Sequence, residues 1–457
     1  MHIDLTPNGN NKFLGLVVPA VLALAFAPSA VAQGTDLSNY QGPGILSPGV
    51  GDLGTRSGQQ VDLRYYGGVS GYYDTDPQSV AVDAHGNLIK TPNFYGYMLN
   101  FGAYGSHNFR LSELSLDYRG DYQESSSSVY NSNDHSLRLG YTLQATRRLV
   151  FDFREAVGTV RYGYGTVAAG ATGDSAGALT TSSLFFDDRT YFGQSTASVT
   201  FLASARTSFT VSGSGFLQDY NAGTGLTNTW GYIVSGSVNR RISKNTTIGA
   251  LYQHSRFQVP SLGSQSTSDA YYGTFAAGMG RFWTLSLQAG ATVVQTQNAV
   301  TFTLSPLLAA ILGQNTVTGI ASIRNIYPSG IADLERKFQH ASINFHYDRR
   351  VTAGNGTFFA SRVENGRVSA GYTGLRRVSL YASGGYNSSV ALGQTNYRFV
   401  QYGAGGGMTY NLGRDLHITA RYDFRDQEIS ESNYLLRGGR TTVGLMFSPG
   451  KVPLSLW

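Results

Sequence analysis

Cysteine is absent from the 457 residues, so no disulfide, thiolate nucleophile, iron–sulfur cluster or Cys-ligated zinc site can be built from this chain. Charge is scarce as well. Asp, Glu, Lys and Arg make up 14%, against roughly 25% in ordinary soluble domains, which argues against a cytosolic enzyme. Lysine is rarer still, 5 against 29 arginines, and the arginines stand singly or in pairs, so nucleic acid is not an expected partner. What the chain has in plenty is glycine (57) and tyrosine (30), which suits tightly turned strands with amphipathic rings at a boundary and suits helices badly.

One long apolar run exists, Phe13 to Ala27. It follows Lys12 and ends in Pro28-Ser29-Ala30-Val31-Ala32-Gln33. A cation, about fifteen apolar residues and an Ala-x-Ala site have the form of a secretory signal peptide, residues 1–32, cleaved after Ala32. An uncleaved anchor is the alternative, but a spanning helix needs roughly 20 apolar residues. The next apolar run, Leu304 to Leu312, is broken by Ser305 and Pro306, so no inner-membrane helix is expected. Residues 33–58 are rich in Gly, Pro and Ser and read as a flexible periplasmic lead-in, with threading into the barrel as the alternative.

From 59 to 457 the pattern has a period of two. Leu137, Leu139, Tyr141, Leu143 and Ala145 alternate with Ser136, Arg138, Gly140, Thr142 and Gln144. Leu416, Ile418, Ala420, Tyr422 and Phe424 alternate with His417, Thr419, Arg421, Asp423 and Arg425, and Leu114, Leu116 and Tyr118 with Ser115, Asp117, Arg119 and Asp121. Alternate side chains leave opposite faces of a strand, so each strand has one apolar and one polar face. Such strands build either a soluble sandwich with the apolar face inward or a membrane barrel with it outward. Windows of about 10 to 15 residues exceed the 5 to 6 typical of soluble sheets and suit a tilted crossing. Connections alternate between short (Ser106 to Arg110, Thr146 to Leu149, Gly280 to Trp283) and long (Asp74 to Asn93, Arg161 to Asp187, Val259 to Ser268). Short turns on one rim and long loops on the other belong to outer-membrane barrels.

On these features, together with the aromatic carboxy terminus at Trp457, the chain resembles the porin-like class of bacterial outer-membrane β-barrels. The resemblance implies the bacterial outer membrane as location, with its lipid and lipopolysaccharide, the barrel-assembly machinery, and hydrophilic solutes or polysaccharide as partners. Whether Phe447 or Trp457 ends the last strand stays open, since Ser448-Pro449-Gly450 follows the cleanest final window. The segment Tyr40-Gln-Gly-Pro-Gly-Ile-Leu-Ser47 also resembles that of barrels associated with exopolysaccharide production.

The expected fold is therefore all-β, a transmembrane antiparallel up-and-down barrel of eighteen strands, with sixteen as the fallback. Seventeen windows are visible; the eighteenth is placed at Gly356 to Glu364, turned by Asn365-Gly366, a dipeptide suited to a tight hairpin. Asn298 to Leu334 lacks the dyad pattern and holds Pro306, Leu307, Leu308 and Ile311, readable as a constriction loop or as a surface loop resting on the rim. Tyr65-Tyr66, Tyr72-Tyr73, Tyr271-Tyr272 and Phe282-Trp283 are expected in girdles at the water–lipid boundaries.

Inward candidates are Asp117, Arg119, Asp121, Arg138, His346, His417, Arg421, Asp423 and Arg425. They either solvate the wall and pair with one another or create a field that selects solutes by charge, with the net charge of +6 leaning toward anions. A passive channel or a polysaccharide-export accessory is expected; a non-conducting structural or adhesive barrel is the alternative, a rim hydrolase a lesser one. No G-x-S-x-G, H-E-x-x-H or Walker spacing is present, the histidines show no ligand spacing, and neither catalysis, metal nor cofactor is expected. Asp134-His135 forms no dyad by itself, because neighbours on a strand face opposite ways. Gly403 to Gly407 lies inside a strand pattern and reads as close packing rather than a phosphate loop.

Overall fold

A computed structural model describes residues 62–75, 93–127, 131–161, 189–220, 227–303, 316–353, 360–392, 398–430 and 434–448. Alternating sequence becomes alternating exposure. Leu416 and Tyr422 stand 42% and 53% exposed while the intervening His417 and Arg421 are buried. Eighteen strands form: β1 (Asp62–Thr75), β2 (Phe94–Asn108), β3 (Ser112–Ser125), β4 (Ser132–Gln144), β5 (Leu149–Arg161) and β6 (Arg189–Leu202). They continue with β7 (Thr207–Tyr220), β8 (Thr229–Arg241), β9 (Thr246–Val259), β10 (Ser264–Met279), β11 (Trp283–Thr303) and β12 (Thr316–Lys337). The last are β13 (Ala341–Ala353), β14 (Ala360–Tyr372), β15 (Val378–Ala391), β16 (Arg398–Asn411), β17 (Leu416–Ile429) and β18 (Tyr434–Phe447).

Every strand pairs antiparallel with its sequence neighbours, and β1 also pairs with β18 from Gly67↔Phe447 to Thr75↔Gly439. The sheet closes on itself and leaves no edge at that seam. Asp74 and Arg440 face each other across it, with Nη2 2.7 Å from Oδ2, and Thr75 Oγ1 donates to Gly439 O at 3.0 Å. A carboxylate with no exposure thus meets a guanidinium that also lies 5.0 Å over the Tyr72 ring.

The eighteenth strand lies elsewhere than expected. β14 runs unbroken through Asn365-Gly366, because the Asn365 amide is held in the ladder, accepting at Oδ1 from Asn387 Nδ2 at 2.6 Å, instead of turning a hairpin. The strand missing from the sequence pattern is β12, 22 residues long, whose isoleucines sit on both faces: Ile326 outward in register with Val293, Ile331 inward in register with Asp348. Pro328 adds to the disguise. It lies outside the stretch Gly330–Lys337 over which β12 pairs with β13, where β12 is an edge and a missing N–H is tolerated. Most of the stretch Asn298 to Leu334 is thus a long β11–β12 hairpin; Pro306, Leu307, Leu308 and Ile311 lie outside the described residues, as do segments 1–32 and 33–58.

Other connections are corrected too. Val259 to Ser268 is not a long loop: a single 3-10 turn, Pro260–Leu262, with Gly263 at φ 58° joins β9 directly to β10. The final strand ends at Phe447, and Trp457 lies outside the described residues.

Candidate functional site

The two faces of this closed wall differ in chemistry. Val211, Val199, Ile248, Phe345 and Val443 are 37% to 61% exposed on the outer face. Their neighbours along each strand point inward and are Thr210 and Ser212, Ser198 and Thr200, Thr247 and Gly249, Asn344 and His346, and Thr442 and Gly444. Apolar outside and polar inside is the arrangement of membrane-spanning, porin-like barrels. Tyrosines at adjacent positions divide between the faces: Tyr65, Tyr73 and Tyr271 are exposed outside, while Tyr66, Tyr72 and Tyr272 are buried inside. Only one member of each of these three pairs therefore takes the outer face that a girdle requires, and the expectation is corrected for the other, since neighbours on a pleated strand cannot share a face.

Register puts all nine candidates on the inner face, but in different surroundings. Asp117 is buried and takes Arg119 Nη2 at 2.9 Å and Nε at 3.1 Å; Arg138 stands opposite it in the β3–β4 register, exposed. Asp121 accepts from Asn100 Nδ2 at 2.6 Å and lies in register with Asp134. His135, one residue on, faces outward and meets Tyr118 Oη at 3.0 Å, so the Asp134-His135 pair is split between faces. His346 bridges two carboxylates, with Nδ1 2.6 Å from Asp333 and Nε2 3.2 Å from Asp348. On β17, Arg421 donates from Nη2 to Asp423 Oδ1 at 2.8 Å, and Arg425 is 1% exposed. His417 is fixed near the short-turn end, with Nδ1 2.7 Å from Asn411 Oδ1. Gly405 makes room for this ladder, since a Cβ there would collide with the Asp423 carboxylate.

Several inner-face charges escaped the sequence reading. Asp152 and Arg154 pair at 2.9 Å, Asp348 and Arg350 at 2.8 Å, and Glu335 and Lys337 at 3.2 Å. The signal is the spacing: acid and base two residues apart share a strand face, so D-x-R, H-x-D-x-R and E-x-K within a dyad pattern predict a paired inner wall. Asp74 with Arg440 has no such signal, being separated by the whole barrel.

The charges are confined to part of the circumference. Across β6 to β11 the described inner-face positions hold no charged residue or histidine except Arg241 at the short-turn end. Hydroxyls there satisfy one another across strands: Thr200 with Thr210 at 3.0 Å, Ser212 with Ser235 at 2.6 Å, Ser266 with Thr296 at 3.3 Å. Toward the long-loop end this arc is buried, with Phe216, Ile233 and Phe257 clustered; toward the short turns Thr210, Ser212 and Ser235 remain partly exposed. One third of the wall is thus neutral and hydroxyl-rich, and the inner-face ion pairs lie on strands outside it, some buried, as Arg421 with Asp423, and some exposed, as Lys337 with Glu335.

No protein-family model matches the sequence, and no curated protein matches it. Among solved structures the chain is similar to OccK2 (OpdF) of Pseudomonas aeruginosa in complex with glucuronate, at 9% identity and TM-score 0.42, over 86% of this chain and 100% of that one. It is similar to a BenF-like porin from Pseudomonas fluorescens Pf-5 at 9% identity and TM-score 0.41, over 86% and 100%. The ferric yersiniabactin uptake receptor FyuA from Yersinia pestis matches at 10% identity and TM-score 0.41, over 85% and 66%. At such scores the likeness adds nothing to the barrel that the strand register already establishes.

Proposed function

We propose that this protein is a passive outer-membrane channel for small hydrophilic solutes. The observation that carries the reading is the closed 18-stranded wall with exposed apolar side chains outside and hydrogen-bonding or paired charged side chains inside. An apolar exterior is stable in hydrocarbon, and a polar interior of a barrel this size supports an aqueous path. Inner-face acids and bases nearly balance, so the anion preference suggested by a net charge of +6 is weak and arises at the rims rather than along the wall. The neutral hydroxyl arc favours uncharged polyhydroxyl solutes, saccharides included, since they exchange water for wall hydroxyls without a charged partner.

Refolded protein in planar bilayers tests this. Discrete conductance steps in salt are expected, with a reversal potential slightly toward anions in a salt gradient and a current reduced by neutral oligosaccharide. A barrel that inserts and shows no steps refutes the channel.

A further inference from the structure

We propose that the short-turn rim is a collar that binds anionic lipid headgroups. The arginines look dispersed along the chain, but the fold gathers many of them at one end. Seven of the eight short connections carry Arg110, Arg147, Arg206, Lys244, Arg281, Arg376 and Arg414, all exposed. The eighth, residues 338–340, is served by Lys337, which immediately precedes it. Asp415 is the one carboxylate among the described residues of these eight connections. A complete ring of cations therefore encircles one mouth.

A second observation sets the depth of that ring. Most of these turns also present an exposed apolar side chain: Phe109 52%, Ile242 53%, Phe282 54%, Phe338 41%, Leu375 50% and Leu412 46%. A cation beside an apolar anchor suits the boundary between acyl chains and headgroups, where the anchor enters hydrocarbon and the cation reaches the phosphate. A soluble polyanion would use the cations and leave the apolar residues in water without a role. Arg336 shows the geometry: its guanidinium lies 4.7 Å over the Trp283 ring and 4.3 Å over the Phe338 ring, on the outer face at the rim. Short turns face the periplasm in barrels of this kind, so the leaflet addressed is the inner one of the outer membrane.

This inference rests on the membrane reading but not on conductance. Trp283 reports it. The W230F/W457F variant, which leaves Trp283 alone, is reconstituted in phosphatidylcholine vesicles containing brominated phosphatidylglycerol or brominated phosphatidylcholine, and tryptophan quenching is compared. Phosphatidylglycerol is expected to be enriched roughly fivefold around Trp283 at low salt. The preference should collapse in 1 M salt, where screening acts within about 3 Å. Replacing Arg110, Arg147, Arg206, Lys244, Arg281, Arg336, Lys337, Arg376 and Arg414 with Gln should abolish it at low salt. Equal quenching by the two lipids, or a preference that survives high salt, overturns the collar alone. Failure of brominated phosphatidylcholine to quench at all overturns the membrane reading with it.

Discussion

The arc β6–β11 and the rest of the wall obey the same dyad rule on their outer faces and differ on their inner ones. On β7 the inner face reads Ser208, Thr210, Ser212 and Ser214 from the short-turn end and then Phe216, Gln218 and Tyr220; on β17 it reads His417, Thr419, Arg421, Asp423 and Arg425. Both give regular 14-residue strands in unbroken register. Toward the short turns, folding therefore demands only that inner polar groups be satisfied, which hydroxyl pairs and ion pairs both do, while toward the long loops the arc also buries Phe216, Ile233 and Phe257 on its inner face. What separates the arcs is the field each offers a solute and the cost of losing a partner. A neutral hydroxyl can turn to another acceptor, whereas an unpaired buried charge cannot.

That contrast can be broken at the seam first. In R440M, Asp74 keeps its burial and loses the guanidinium, so a loss of about 3–5 kcal/mol is expected in urea unfolding of the refolded barrel. The double variant D74L/R440M should recover a large part of that loss. Next, V211R places a charge on the outer face of the neutral arc and should cost about 2–4 kcal/mol near mid-membrane. At the adjoining position, S212R should cost less and move the reversal potential toward anions, because there the guanidinium enters the lumen. The smallest stability effect sharpens the charged arc: G405A crowds the Asp423 carboxylate and should cost about 1–3 kcal/mol by overpacking.

Much of the barrel was legible because alternation survives in most strands, and β4, β7 and β17 read cleanly in two-residue steps. β12 did not, since Ile326 and Ile331 sit on opposite faces and Pro328 breaks the run. Asn365-Gly366 misled in the opposite direction, as a hairpin dipeptide whose amide is instead engaged by Asn387 across the ladder. On the inner wall, individual charged residues were readable from their face. Their near-absence from β6–β11 and the cation ring at one rim were not, because seven of the eight short turns contribute only one or two cations each, separated by tens of residues in the chain. Asp74 and Arg440, 366 positions apart, meet only through closure.

The absence of cysteine gives a clean background for testing which face meets water. Single variants V211C and S212C on β7, and V199C and S198C on β6, are to be reconstituted in vesicles and exposed to a charged, membrane-impermeant methanethiosulfonate. Rapid modification at 212 and 198 with protection at 211 and 199 is the expected result. Modification at 211 and 199 with protection at 212 and 198 would mean that the apolar face meets water and the polar face does not, contradicting the membrane channel.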